Sequence, residues 1–332
     1  MQAVVLDGTG GIDLQDVPTP KIGANDVLIA PAAVGICGTD LHLVEGTYAT
    51  GRYPVVPGHE FAGVITAVGR NVQRFTEGDL VGVDPNVSCG RCHWCKAGIT
   101  NLCQTLEPVG VTRDGACAEL VAVPAQVVYK LPRGLSPTVG ALVEPLACVL
   151  HALDRLDTVT GKDVLIYGAG SIGLIAAAVS RAQGASRIQV VEPFAIRRNA
   201  AIQIGVHAAA ADSAELDLQG GAEVVIEASG NLSAITDALS RLAIRGTFLQ
   251  MGVTPASARV SLSPFNVFEK ELTILGSNSL ADQYGPATEL APDLAEPLSM
   301  LVTHRLPLKD YAHALAAAAS PEAIKVHVIP SD

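Results

Sequence analysis

The chain has 332 residues, 49% hydrophobic and 17% charged, the composition of a globular protein long enough for two cores. Its 22 basic residues stand against 33 acidic ones, and the net charge of −11 leaves no cationic surplus for tracking the phosphates of a nucleic acid. No apolar run approaches the roughly 20 residues that span a bilayer.

The N-terminal stretch Met1 to Asp7 lacks the basic region and apolar core of a secretory leader. A cytoplasmic, thiol-reducing setting is therefore expected, where clustered cysteines point to metal rather than to disulfides.

Residues 2–6 and 27–33 read as strands, rich in Val and Ile and broken by Gly and Pro. The stretch Gly35-Ile-Cys-Gly-Thr-Asp-Leu-His42 follows. It offers the sulfur of Cys37, the hydroxyl of Thr39 and the imidazole of His42. Pro57-Gly-His-Glu60 then adds the imidazole of His59 and the carboxylate of Glu60. Sulfur, nitrogen and oxygen donors form a set that zinc accepts, and three protein ligands with one open position mark a catalytic site. Residues 61–68 and 80–83 read as further strands, and the many turn residues between them indicate an irregular β-rich domain.

Cys89, Cys92, Cys95 and Cys103 lie close together in the chain. Four thiolates at this spacing complete a closed tetrahedral zinc shell. Only Arg91 and Lys96 supply positive charge inside the lobe, too little for a nucleic-acid ribbon. His93 is expected at the surface, and Cys117 as a small packed hydrophobe. Glu144 and Cys148 share one face of a helix running to about Leu156, and either could reach a metal. A buried carboxylate at 144 needs a partner, because an unpaired buried charge is costly. Cys148 and His151 read as core residues.

The pattern changes at Asp163. Residues 164–167 form a continuous apolar run that leads into Gly168-Ala-Gly170-Ser171-Ile172-Gly173 and an alanine-rich helix to about Arg181. A second strand, residues 185–191, ends at Glu192. Strand, G-x-G-x-x-G, helix, strand and acid together are the dinucleotide fingerprint. Gly168 permits the tight turn, Gly170 lets backbone approach a pyrophosphate, and Gly173 allows close helix–strand packing. The carboxylate of Glu192 suits ribose hydroxyls and favours NAD over a 2′-phosphate. Arg197 and Arg198 follow closely, one of them able to cover an adenine. Helices and strands then alternate through residues 199–275, which indicates a doubly wound parallel sheet. Met251, Gly252, Val253 and Ser277 fall at strand carboxyl ends, where such sheets bind ligands. Helices over 286–302 and 311–319 and a strand over 325–329 close the chain.

Taken together, these motifs resemble the zinc-dependent medium-chain alcohol and polyol dehydrogenases over nearly the whole chain. Val143-Glu-Pro145 places the chain nearest the sorbitol, threonine and aminocyclitol branches, which also carry Glu-Pro there. The resemblance implies an α/β protein. A GroES-like catalytic domain (1–140 and 279–332, with the lobe at 89–103) would be interrupted by a Rossmann domain (141–278). It implies one catalytic and one structural zinc, NAD, and a homotetramer or homodimer. Cys37 and His59 are expected to hold the catalytic metal, with Glu60 and Glu144 alternating on it. Cys89, Cys92, Cys95 and Cys103 are expected to hold the structural one.

The expected reaction is oxidation of a secondary alcohol such as a polyol or cyclitol. The proton would leave through Thr39, the ribose hydroxyl of the cofactor and His42 to solvent, two hydroxyls followed by an imidazole. Threonine or aldose oxidation is the alternative within the family. A zinc-free reductase of activated double bonds leaves Cys37 and His59 idle. A zinc-ribbon protein that senses NAD leaves Thr39, His42 and Glu144 idle. The residues expected to shape the substrate pocket lie at 45–53 and 278–284. Arg52 and Arg113 are the cations that could meet an acidic substrate group, though surface placement is expected for both.

Overall fold

A computed structural model describes residues 1–47 and 51–330. Residues 48–50 of the expected pocket-shaping loop therefore lie outside the described residues. The chain divides into two compact units, Met1–Ala147 with Ala281–Asp332, and Cys148–Leu280. The first break falls inside the helix Val143–Asp154.

The first unit is built on a seven-stranded mixed sheet. Along its main path the strands run Val302–Pro307, Lys325–Ile329, Asp26–Ile36, Glu60–Val68, Leu80–Val83 and Val128–Lys130, and Val121–Pro124 pairs separately with Asp26–Ile36. The strand from Asp26 alternates burial along its first half and is buried throughout its end. That pattern fits a strand with one face on a core and an end under other structure. The C-terminal strand Lys325–Ile329 pairs antiparallel with it, so a segment from near the end of the chain adds to a sheet whose other strands come mostly from the first 130 residues. Phe61, Ile65, Val81, Val83, Val326 and Val328 belong to one buried apolar cluster.

In register, Glu60 lies opposite Gly35, Gly35 opposite His327, and His327 opposite Arg305. One row thus crosses four strands.

The second unit holds a six-stranded parallel sheet. Its order is Ala208–Ala210, Arg187–Val191, Asp163–Tyr167, Ala222–Glu227, Leu242–Gln250 and Thr273–Gly276. Val164 to Tyr167 are all buried, as a central parallel strand requires. The helix Ser171–Ala182 buries Gly173 through Ser180, its small side chains letting it lie close on the sheet.

The single helix expected over 286–302 is instead two, Tyr284–Leu290 and Ala295–Met300, and a strand starts at Val302. Pro292 supplies the reason, since it cannot donate a helical N–H and restricts the residue before it. The strands Ile12–Asp16 and Ala208–Ala210 and the helix Pro264–Lys270 add elements that periodicity did not reveal. Among the described residues, no helix is long and apolar enough to cross a membrane.

Candidate active site

Cys37 caps the short helix Gly38–Val44. Its sulfur accepts the Thr39 N–H at 3.3 Å, and the Asp40 carboxylate accepts the Cys37 N–H at 2.9 Å. This reciprocal cap aims the sulfur by backbone geometry. Gly58, at φ 97°, turns the chain so that His59 enters the same space, where a Cβ at 58 would collide with Cys117 and Val34. The Cys37 sulfur and His59 Nε2 lie 3.1 Å apart. His59 Nδ1 faces Asp40 Oδ1 at 3.8 Å.

Among the described residues, three or more metal-type donors come within 4.8 Å of one another at two places. One is Cys37, Asp40 and His59, and the other is the four cysteines. Glu60 and Glu144 are both buried but join neither group. The Glu60 carboxylate is instead turned onto the ammonium of Lys325, itself fully buried.

The donor set fits a divalent cation. The Cys37 sulfur, the His59 imidazole and the buried Asp40 carboxylate offer donor atoms within 4.8 Å of one another. Sulfur, nitrogen and oxygen donors brought together in this way are a set that zinc accepts. Burial alone would lower the His59 imidazole, but Cys37 and Asp40 hold it well above its ordinary range. A metal on Nε2 would take the place of that proton, leaving Nδ1–H toward Asp40, the usual carboxylate–histidine–metal order. Burial raises the Asp40 carboxyl, with His59 pulling it the other way.

Thr39 is half-buried one turn before His42, whose side chain is about half exposed and meets Thr47 Oγ1 at 3.3 Å and Glu45 Oε2 at 3.9 Å. The spacing suits a path from a shielded hydroxyl to solvent.

In the lobe, the Cys92 and Cys95 sulfurs lie 3.5 Å apart and those of Cys89 and Cys95 4.0 Å. The Cys89 and Cys92 N–H groups point at the sulfurs of Cys103 and Cys89, at 3.3 and 3.4 Å. Backbone N–H groups of Arg91 and Cys92 pull the Cys89 thiol down to about 5, whereas withdrawal from water and the neighbouring sulfurs push Cys95 up to about 11. The four sulfurs fit a closed tetrahedral site. His93 is exposed and Cys117 buried, as expected.

In the second unit, Gly170 caps the helix Ser171–Ala182 without a side-chain partner, leaving its first N–H groups for an anion. A Cβ on Gly173 would overlap the Gly168 carbonyl, so close packing does require glycine there. Glu192 is buried, and its two oxygens accept the N–H groups of Ala169 at 2.8 Å and Phe194 at 3.0 Å. It therefore braces the glycine turn. Arg198 donates to the carbonyls of Glu192 and Pro193, and Arg197 lies over the Phe194 ring. Met251 and Ser277 each follow a parallel strand's last residue, and Gly252 and Val253 continue from Met251.

Four further residues stand beside these sites: Asp40, Lys325, Glu227 and Gln250. Asp40 carried a signal, an acid three positions after a capping residue. Lys325 carried none, because Glu60 is remote in sequence, and Glu227 and Gln250 carried none, because the bond that joins them links strand ends far apart in the chain. A cavity of about 750 Å³ lined by Arg52, Arg113 and Val121, among others, contains none of the residues expected to hold metal, cofactor or the substrate proton, and Arg113 pairs with Glu107 at 3.0 Å.

Comparison with known proteins identifies the family. Residues 23–133 match the alcohol dehydrogenase GroES-like domain, and residues 171–292 match the zinc-binding dehydrogenase domain. The chain is 34% identical to D-altritol 5-dehydrogenase of Agrobacterium fabrum, over 93% of this chain and 94% of that one. It is 36% identical to L-threonine 3-dehydrogenase of Legionella pneumophila (strain Corby), over 95% and 96%. Its fold is similar to that of a protein described as a zinc-binding dehydrogenase from Sinorhizobium meliloti 1021, solved bound to NADP. The TM-score is 0.94 at 34% identity, covering 99% of each chain.

Proposed function

The chain belongs to the zinc-dependent medium-chain alcohol and polyol dehydrogenase family, oxidoreductases that act on CH–OH groups, and on that premise we propose that it oxidises a secondary alcohol of the polyol or cyclitol class with NAD. The observation that carries the proposal is the 3.1 Å approach of the Cys37 sulfur to His59 Nε2 in a site rich in buried carboxylates.

In this reading Cys37 and His59 hold the catalytic zinc, with Glu60 or Glu144 as the exchangeable oxygen donor, and the four cysteines hold a second zinc. The catalytic zinc supplies a Lewis acid that lowers the pKa of the substrate hydroxyl, and NAD supplies the hydride acceptor. Thr39 takes the hydroxyl proton and hands it outward, and exposed His42 releases it to water. Lys325 holds the Glu60 carboxylate in place when it is off the metal. Asp40 orients His59.

Gly168, Gly170, Ser171, Ile172 and Gly173 offer backbone to the pyrophosphate. The carboxylate of Glu192 at the end of its strand supports NAD. Arg197, Met251, Gly252, Val253 and Ser277 line the rest of the cofactor path. The NADP bound to the Sinorhizobium protein makes the cofactor ratio a required measurement.

The altritol enzyme supports a polyol substrate, and the L-threonine 3-dehydrogenase relative at 36% identity supports a 3-hydroxy amino acid as the second reading. The deciding assay measures NAD and NADP reduction across polyols, inositols, aldoses and threonine, with metal analysis expected to find about two zinc per subunit. Absence of turnover with every alcohol, in protein carrying full zinc, would overturn the proposal.

The reading keeps the protein in the cytoplasm, where thiols stay reduced. It also takes the protein as a homotetramer or homodimer. The edge strand Thr273–Gly276 and the exposed Phe265 and Phe268 support self-association. Light scattering or sedimentation would measure the state.

A further inference from the structure

Glu227 ends the fourth strand of the second unit's parallel sheet in chain order and is fully buried. Nothing in the proposed chemistry uses it, yet it accepts more hydrogen bonds than a side chain at a strand end needs. Oε1 accepts the N–H groups of Ser229 at 2.8 Å and Gly230 at 3.0 Å, and also the Ser229 hydroxyl. Oε2 accepts the Gln250 side-chain amide at 2.7 Å and Gly230 N–H at 3.2 Å.

Gln250 lies opposite Glu227 in register at the end of the next strand. Its amide donates a second bond to the Gly252 carbonyl at 2.7 Å. The Glu227 carbonyl meanwhile accepts Met251 N–H at 2.8 Å and Gly252 N–H at 2.9 Å. Two loops are thereby pressed together. A Cβ on Gly252 would overlap Gly230 N and Glu227 Oε2, and one on Gly230 would overlap the Val253 carbonyl.

We infer that Glu227 and Gln250 are positioning residues that fix the Met251–Val253 backbone for the nicotinamide cofactor. The inference rests on the cofactor reading above. The carboxylate is matched to donors on every side, so it acts as a rigid acceptor hub. Gln250 converts that hub into a hold on one carbonyl, Gly252 O. Removing the Gln250 amide leaves Glu227 satisfied by Ser229 and Gly230 but frees the Gly252 carbonyl. Removing the Glu227 charge also loosens the Ser229–Gly230 turn, since an amide at 227 would set N–H against N–H whichever way it turned.

The test uses zinc-loaded protein carrying Gln250→Met, which keeps the side chain's length, with Glu227→Gln as a second variant. For Gln250→Met, the dissociation constant of NADH, followed by fluorescence, should rise about tenfold or more, the scale of one hydrogen bond to a charged group. The KM for NAD should rise in step, while zinc content and the KM for the alcohol stay near wild type. Hydrogen exchange should speed up in the peptide covering residues 249–253. Unchanged NADH affinity together with unchanged exchange would overturn the inference. So would a fall in Tm with the cofactor constants intact, since that marks a purely structural role. Failure of the wild-type protein to bind NADH would sink the cofactor reading and this role with it, whereas tight wild-type binding with an unaffected Gln250→Met would sink the positioning role alone. For Glu227→Gln the same cofactor-specific loss is expected, larger than for Gln250→Met, and a smaller loss would overturn the hub.

Discussion

His59 Nδ1 lies 3.8 Å from Asp40 Oδ1, and both residues are buried. The carboxylate sets which imidazole nitrogen faces the Cys37 sulfur. Asp40→Asn keeps an acceptor for the Cys37 N–H cap but removes the charge opposite His59. Zinc affinity at the catalytic site should fall roughly 10–100-fold, the usual cost of losing an outer partner of a metal-bound histidine. Competition with a chromophoric chelator measures it, and wild-type affinity in the variant would show that Asp40 serves only the helix cap.

Lys325 reaches Glu60 because position 35 has no side chain. A Cβ there would overlap Glu60 Oε2 and crowd the Lys325 chain. Gly35→Ala should split this buried pair, and breaking such a pair costs about 3–5 kcal/mol. Lys325→Met should cost a similar amount by stranding the Glu60 carboxylate. Denaturant unfolding of the zinc-loaded protein gives the figure. Stability equal to wild type in both variants would show that Glu60 finds another partner.

Substitution in the two metal sites should separate their roles. Cys92→Ser opens a closed four-sulfur shell, so zinc should drop from about two to about one per subunit and Tm should fall. His59→Ala should also lose one zinc and abolish turnover, but with the lobe and its stability kept. Full activity in His59→Ala would contradict the catalytic assignment.

Asp84 gives a pH dependence with a definite sign. Burial, with help from Glu144 and Asp282, pushes its carboxyl from 3.8 up to about 7, although the Asn86 N–H opposes the shift. The folded state thus binds a proton that the unfolded chain has released, so stability from this group declines as pH rises from about 4 to about 7. Asp84→Asn keeps an acceptor for Asn86 N–H, now 2.8 Å from Oδ1, and removes the ionisation. Its Tm relative to wild type should be higher at pH 8 and lose that advantage near pH 4. A constant difference across the range would show that Asp84 is not the titrating group.

Local chemistry made much of the site legible. Cysteines three apart could be recognised as a lobe because a tight turn brings such neighbours together whatever surrounds them. The glycine turn at 168–173 could be recognised because its strand and helix are continuous with it. Elements without a strong period were hidden: the helix Pro264–Lys270 buries none of its residues, and Ala208–Ala210 is too short to alternate.

Donor identity was written in the chain, since Cys37, His59, Glu60 and Glu144 have the atoms a metal accepts regardless of fold. Which carboxylate faces which cation was decided in three dimensions. Sheet register sets Gly35 between Glu60 and His327, and the strand that carries Lys325 comes from the far end of the chain. No pattern in the sequence near Glu60 names that lysine, and Glu192 likewise shows its hold on Ala169 only once two parallel strands lie side by side. Short-range spacing encodes caps and turns because few bonds separate the groups. Long-range pairing of buried charges is left to packing, which selects partners by the space and counter-charge available.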